Sequence, residues 1–292
     1  YLVGLYPGQT GNWGLAKIDL STGEFEAGQI EESLLSHWLD SLHPAEIIHP
    51  EEESGSGPTE LPAWKSLKTT YSPIPGWKLN YQDAWQRMTE FFRVTNLKGF
   101  GLEEHPLAIQ AAAAILVYLE EKQQPTTHVR KISLLKVSDY MILDGITQRN
   151  LELVESFNPN VQDTSLLGVI NKTVTPMGSR LLRQWIQRPL ISIPAILERQ
   201  KTIRFFYQQD EITGRLRENL HGIGDLERLL SRLTSRRSNG RDLLRLNQVL
   251  KLLPDIQNQL PEASDCPLLQ DIRNALCPQT ELVELIESSI SE

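Results

Sequence analysis

The chain contains few cysteines, no long apolar run and no surplus of positive charge. Its two cysteines, Cys266 and Cys277, are too few for a disulfide scaffold or a four-ligand zinc site. They favour a reducing compartment, so we expect a cytoplasmic protein. The longest apolar run covers nine residues, 111–119, whereas a membrane-spanning helix needs about 20. The sequence therefore predicts no membrane span.

Acidic residues outnumber basic ones by 37 to 29, which gives a formal net charge of −8 at pH 7. A protein whose whole surface binds nucleic acid has the opposite sign. Most of the excess acid lies early in the chain, since residues 1–134 carry 10 basic and 17 acidic side chains and residues 135–292 carry 19 and 20. Any contact with nucleic acid is therefore expected to be local.

The residue patterns of common catalytic sites are also missing. Lys65 and Lys172 precede Ser and Thr, but the glycines that a phosphate-binding loop requires do not come before them. The six histidines are never four residues apart, the spacing that places two imidazoles on one helical face for a metal. The sequence predicts no catalytic residue, no cofactor site and no metal site in this chain.

The length favours two domains, because a single core usually stops growing at roughly 250 to 300 residues. In the first part, apolar residues come in short runs that are typical of strands. These runs cover residues 2–6, 13–20, 24–30, 45–50 and 67–72. Helices are predicted over 31–42, 82–94 and 106–122, with a solvated loop over 50–62.

Three strands joined by short turns, followed by a helix and further strands, indicate an α/β domain with a ribonuclease H-like fold. Nucleases of that fold bind two Mg²⁺ ions through several carboxylates, and one of these carboxylates lies on the first strand. The first strand here carries no acidic residue, and Asp19 beside Ser21 is better interpreted as a turn-stabilising residue. The missing carboxylate argues against a metal-dependent nuclease, which stays the alternative function.

From residue 142 onward the helical period dominates, and the second domain is predicted to be all-α. Thr175 and Asp225 are predicted N-caps, the first followed by Pro176. A further helix is expected over Leu243–Leu253, ended by Pro254, and another from Glu281 onward.

Six arginines lie close together in this second part. They are Arg228, Arg232, Arg236, Arg237, Arg241 and Arg245, opposed within that stretch only by Asp242. The pattern fits a solvated polar face whose partners lie elsewhere in the helical domain. It also fits a local contact with phosphates, although interleaved aromatic residues are lacking.

Six strings of residues resemble the MutS family of DNA mismatch repair proteins, in the same order and over nearly the whole chain. They are KIDLSTGEF at 17–25, PAEIIHPE at 44–51, GFGLE at 99–103, DGITQRNLEL at 144–153, TVTPMGSRLLR at 173–183 and GDLERLLSRL at 224–233. Each string alone is weak. Together they indicate a member of that family.

The resemblance implies a ribonuclease H-like connector domain over 1–134 and the first part of a helical core, or lever, domain over 135–292. Because the chain starts at Tyr1 without a Met, we expect a piece of a longer protein. The family's mismatch-reading domain, its clamp and its ATPase domain, which holds ATP and Mg²⁺ and dimerises, would then lie outside it. The chain itself would have a mechanical role and no enzymatic one.

The resemblance also implies partners for the whole protein, namely mismatched duplex DNA and a MutL-like repair protein that docks on the connector. For docking we select Gln86 and Arg87, expected to be the most exposed consecutive pair on the helix over 82–94. For DNA contact we select four of the clustered arginines, Arg228, Arg232, Arg236 and Arg237. A stand-alone helical adaptor without a repair role stays a further alternative.

Overall fold

The computed structural model describes residues 1–9, 11–51, 67, 69–157, 164–235, 238–262 and 266–290. The chain divides into two compact units, Tyr1–Leu151 and Glu152–Glu292. The first unit combines a mixed sheet with helices, and the described part of the second consists of helices and their connections. The predicted change from an α/β part to a helical part is confirmed.

The first unit is built around a six-stranded sheet. Its strands are β1 (Leu2–Pro7), β2 (Asn12–Asp19), β3 (Glu24–Glu31), β4 (Glu46–Glu51), β5 (Thr70–Pro75) and β6 (Ser133–Leu134). The strand order is β5-β4-β1-β2-β3-β6, with β1, β2 and β3 antiparallel and the other neighbours parallel. The predicted three-stranded meander is confirmed, whereas the two-residue strand β6 has no counterpart in the predicted pattern.

Helices cover both faces of this sheet. They are α1 (Glu32–Leu42), α2 (Tyr81–Phe92), α3 (Pro106–Glu121) and α4 (Gly145–Asn150). Successive side chains of a strand point to opposite faces, so Ala16 and Ile18 pack with α2 and α3, while Leu15 packs with α1. The apolar run 111–119 is thus accounted for as one nearly fully buried helix.

Two glycines allow α3 to lie close against the sheet. A Cβ atom on Gly4 would collide with the carbonyl oxygen of Ala111, and a Cβ atom on Gly14 with that of Leu107. The small side chains of Ala111–Ala114 are buried in this contact. Any side chain at either glycine would push the helix away from β1 and β2.

The first unit continues past residue 134, where the sequence placed the domain boundary. Leu135 is buried in the core that contains α1, and Val137 and Tyr140 pack against the same cluster. Helix α4 contacts α1, and its first residue, Gly145, adjoins the side chain of Asp40. Residues 135–151, assigned from the sequence to the helical domain, therefore pack with the α/β unit.

The two described residues of the predicted loop over 50–62 belong to a strand. Pro50 and Glu51 are the last residues of β4, and the rest of the predicted loop, 52–62, lies outside the described residues. The glycine pair around Phe100 forms a short 3₁₀ turn, Lys98–Phe100, that ends at Gly101 with φ of 73°.

The second unit contains eight helices in its described residues. They are α5 (Leu166–Ile170), α6 (Pro176–Gln187), α7 (Ile193–Gln208), α8 (Asp210–His221), α9 (Leu226–Thr234), α10 (Gly240–Gln259), α11 (Pro267–Ala275) and α12 (Thr280–Ser289). Within the described part of the chain, no helix combines the length and the apolar character needed to cross a bilayer.

Both predicted N-caps are confirmed, because the Thr175 hydroxyl accepts from the Gly178 amide at 3.0 Å and Asp225 accepts from the Arg228 amide at 3.3 Å. The predicted end of a helix at Pro254 is wrong, since Pro254 lies inside α10. Proline removes one backbone hydrogen bond from a helix, at a cost of about 3 kcal/mol. Packing of α10 against α8, α9 and α12 offsets this local cost.

Two apolar clusters hold the helices of the second unit together. One includes Leu216, Val249 and Leu269, and the other includes Leu229 and Leu246. Leu226, Leu229 and Leu233 of α9 have the spacing of one helical face, and all three pack in this second cluster. Leu230 is the exception, because its side chain is 43% exposed.

Candidate partner and nucleic-acid surfaces

Asp19, the one carboxylate considered for a nuclease site, stabilises a turn. It accepts hydrogen bonds from the amide of Ser21 at 2.8 Å and from its hydroxyl at 2.7 Å. This confirms the turn-stabilising interpretation. Among the described residues, no group of three or more His, Cys, Asp or Glu side chains is placed to hold a metal ion.

The outward face of α2 carries the two residues selected for partner docking. Met88 is buried and Trp85 and Phe92 pack against the core, as expected from the helical spacing of these three apolar residues. Gln86 is exposed and its amide donates to Glu90 at 2.7 Å. Arg87 is half-buried and forms an ion pair with Glu120 of α3, so the prediction that the two form the most exposed consecutive pair is wrong.

Two exposed aromatic residues lie just before and at the start of α2. Trp77, in a 3₁₀ turn over Gly76–Leu79, is 72% exposed, and Tyr81 is also exposed. Sequence reasoning missed both residues. The exposure of Trp77 could have been predicted from its position in the sequence, because it follows Gly76 and lies outside the apolar period of α2.

Two of the four described arginines of the cluster contact neighbouring carboxylates. The Nε of Arg228 lies 3.6 Å from Asp225, and the guanidinium of Arg232 lies 2.9 Å from Asp242. For these two residues the prediction of a polar face with partners within the helical part is confirmed. Arg236 and Arg237 lie outside the described residues.

Asp242 also closes the start of α10. Its side chain accepts from the Asn239 amide at 3.3 Å, while the Asn239 side chain accepts from the Asp242 amide at 3.1 Å. This reciprocal capping box holds Asp242 in place as the partner of Arg232. The pKa of Asp242 is lowered, first by the hydrogen bond from Arg232.

Two of the family-like strings meet at Arg180. This residue of α6 donates two parallel hydrogen bonds to Asp225, each of 2.8 Å, and a third of 2.5 Å to Glu227. Asp225 is at the same time the N-cap of α9. The bonds from Arg180 lower the pKa of Asp225, and Asp225 in turn raises the pKa of Arg180. The pair ties α6 to the start of α9 with fixed geometry.

Comparison with protein families matches both parts of the chain. Residues 1–133 match the model of MutS domain II, and residues 146–292 match that of MutS domain III. The first match lies within the α/β unit. The second covers α4 from its second residue onward and all of the described helices of the second unit.

Individual relatives agree with this result. The DNA mismatch repair protein MutS of Symbiobacterium thermophilum is 36% identical over 285 residues, which cover 96% of this chain and 32% of the relative. The protein of the same name from Chlorobium chlorochromatii is 35% identical over 299 residues, covering 99% of this chain and 34% of the relative. The chain thus spans about a third of the length of these relatives. On both the family models and the relatives, it belongs to the MutS family of DNA mismatch repair proteins.

Proposed function

We propose that this chain is a coupling part of a DNA mismatch recognition ATPase. In this proposal the α/β unit is a ribonuclease H-like connector that docks a MutL-like repair protein. The helical unit is the first part of a lever that transmits the nucleotide state to a DNA clamp. The observation that carries the proposal is that MutS domains II and III follow each other along nearly the whole chain, at the change from sheet to helices.

The docking role is supported by the polar outward face of α2. Gln86 is exposed there, and the Arg87–Glu120 ion pair lies at the surface beside it, with the carboxylate 70% exposed. Changing Gln86 and Arg87 together to Ala in the full-length protein should leave the fold intact and weaken binding of the MutL-like protein. Lys98→Ala, at an exposed site outside α2, is the matched control.

Surface changes usually alter stability by less than about 0.5 kcal/mol, but the loss of the Arg87 ion pair can add to this. Thermal unfolding of the double variant therefore accompanies the binding measurement. If the variant binds the MutL-like protein as wild type does and cross-links map to the helical unit, the docking assignment is wrong.

The lever role is supported by the way α9, α10 and α12 share one apolar cluster. Leu229 of α9 packs there with Leu246 of α10 and Ile286 of α12. Helix α10 has 20 residues and thus extends over about 30 Å. A long helix packed in this way can carry a displacement from one end to the other without a reactive group.

Adjacent leucines of α9 provide the test of the lever. Leu229 is buried and Leu230 is exposed, so Leu229→Ala should cost about 2–5 kcal/mol and Leu230→Ala far less. We expect Leu229→Ala to alter ATP-dependent release of the full-length protein from DNA at a temperature where it is still folded. Release that is unchanged in both variants would contradict the lever assignment.

The other roles belong to the whole protein and are part of the same proposal. It would bind mismatched duplex DNA, hydrolyse ATP with Mg²⁺ in a domain outside this chain, and act in the cytoplasm as a homodimer. Because carboxylates already engage Arg228 and Arg232, exposed Arg241 and Arg245 are the better candidates for a local phosphate contact. The nuclease alternative is not favoured, since β1 lacks an acidic residue and Asp19 serves a turn.

A further inference from the structure

We infer that Trp77 is the apolar anchor of the connector's docking surface, which extends from Gln86 along the start of α2 to the 3₁₀ turn Gly76–Leu79. The partner chemistry that fits this surface is a protein face with an apolar pocket rimmed by Lys and Arg. The inference rests on the proposed docking role of the connector and names the residue that would dominate its affinity.

The first observation is that Trp77 is held at the surface by rigid neighbours. Leu79 is fully buried, and its carbonyl accepts a hydrogen bond of 2.9 Å from the buried side chain of Gln110. Asn80 donates to the Trp77 carbonyl at 3.0 Å and caps α2 by accepting from the Asp83 amide at 3.0 Å. The Trp77 carbonyl and the backbone that follows it are therefore fixed before any partner arrives, which lowers the entropic cost of binding.

The second observation is the exposure of its indole. Trp77 is 72% exposed and Tyr81, four residues later, is 41% exposed. The ammonium of Lys78 lies 5.5 Å from the centroid of the Trp77 ring. Burying an indole in a partner pocket removes a large apolar area from water. Trp and Tyr are also the residues most enriched among those that dominate binding energies.

The third observation is the charge around the aromatic pair. Ion pairs bring the end of α3 beside this region, because Lys78 binds Glu121 at 2.6 Å and Arg87 binds Glu120. The surface also includes the exposed Asp83 at the start of α2. These residues give it three carboxylates and two cations, so the complementary partner face carries basic side chains around its pocket.

The edge of the sheet does not offer a competing mode of binding. The Thr70 amide points towards β4, where it donates to the Ala45 carbonyl, so positions 71, 73 and 75 of β5 face outward. Two of these positions are Pro73 and Pro75, which have no amide hydrogen to pair with an added strand. Docking beside β5 must therefore use side chains, and Trp77 is the largest one available there.

The test uses the full-length protein and the purified MutL-like protein of the same organism in a binding titration. We expect Trp77→Ala to weaken binding at least tenfold and Trp77→Phe to weaken it less, with unchanged thermal unfolding in both. Tyr207→Ala removes an aromatic side chain of similar exposure from the helical unit and should leave binding unchanged. Wild-type binding should weaken as salt is raised, since the matched charges are screened.

The outcomes separate this inference from the proposal on which it rests. If the double Ala variant at Gln86 and Arg87 loses binding while Trp77→Ala binds as wild type does, the anchor inference is wrong and the docking role stands. If none of these variants loses binding, the docking role itself fails. Affinity that is insensitive to salt would contradict the basic rim of the partner.

Discussion

Replacing Arg180 by Ala should destabilise the helical unit, because this side chain joins α6 to the start of α9. Arg180 is 29% exposed and Asp225 23% exposed, so their two 2.8 Å bonds are partly shielded from water. Exposed ion pairs contribute about 0–1 kcal/mol, whereas removing one partner of a buried pair costs about 3–5 kcal/mol. A bidentate pair at intermediate burial should lie between these limits, at about 1.5–3 kcal/mol.

The same helix offers a matched control. Arg183 of α6 pairs with Glu155 at 3.4 Å, but both side chains are largely exposed. Arg183→Ala should therefore change stability by less than about 0.5 kcal/mol. Arg180→Lys keeps the charge but loses the planar geometry that allows two hydrogen bonds. Its loss of unfolding free energy should therefore lie between those of Arg183→Ala and Arg180→Ala.

The free energies of unfolding can be measured with urea by far-ultraviolet circular dichroism, and hydrogen exchange locates the change. Exchange should speed up in α6 and at the start of α9 in Arg180→Ala. Because the bond from Arg180 lowers the pKa of Asp225 in the folded chain, the stabilisation is present above the unfolded carboxyl pKa of about 4. It is lost as the pH falls through the lower folded value, so the difference between wild type and Arg180→Ala should shrink in acid. Equal losses for Arg180→Ala and Arg183→Ala, or additive losses for Arg180→Ala and Asp225→Ala in a double-mutant cycle, would refute the reasoning.

Three further predictions concern the sheet, the turn and the charged surface. Gly14→Ala should destabilise the α/β unit by about 1–3 kcal/mol in thermal unfolding, because the added Cβ meets the backbone of Leu107. A Cβ added at Gly99 meets no atom within 4 Å, so Gly99→Ala should be nearly neutral. Similar melting temperatures for the two variants would contradict this packing. The purified chain should neither hydrolyse ATP nor cut nucleic acid, and metal-dependent cleavage that disappears in Asp19→Ala would restore the nuclease alternative. The chain should bind duplex DNA weakly and without preference for a mismatch. Arg241→Ala should lower the slope of log affinity against log salt concentration by about one. An unchanged slope would show that Arg241 does not contact a phosphate.

Local patterns in the sequence determined much of the secondary structure. The apolar period distinguishes the strands of the meander from the helices, and the caps at Thr175 and Asp225 lie where residue chemistry places them. The core-facing side of α2 also follows from spacing alone. These features depend on residues within a few positions of one another, so they can be read without knowledge of the fold.

Tertiary structure decided the features that depend on distant residues. Pro254 stays inside α10 because neighbouring helices stabilise it, although the local rule predicts a break. Residues 135–151 join the α/β unit because α1 and its apolar cluster accept them. The partners of Arg180 and Arg232 come from helix starts 45 and 10 residues away in the chain. Such pairings arise only when folding brings separate elements together. The exposure of Trp77 likewise depends on which surfaces remain in water after folding. Local spacing carries no information about either.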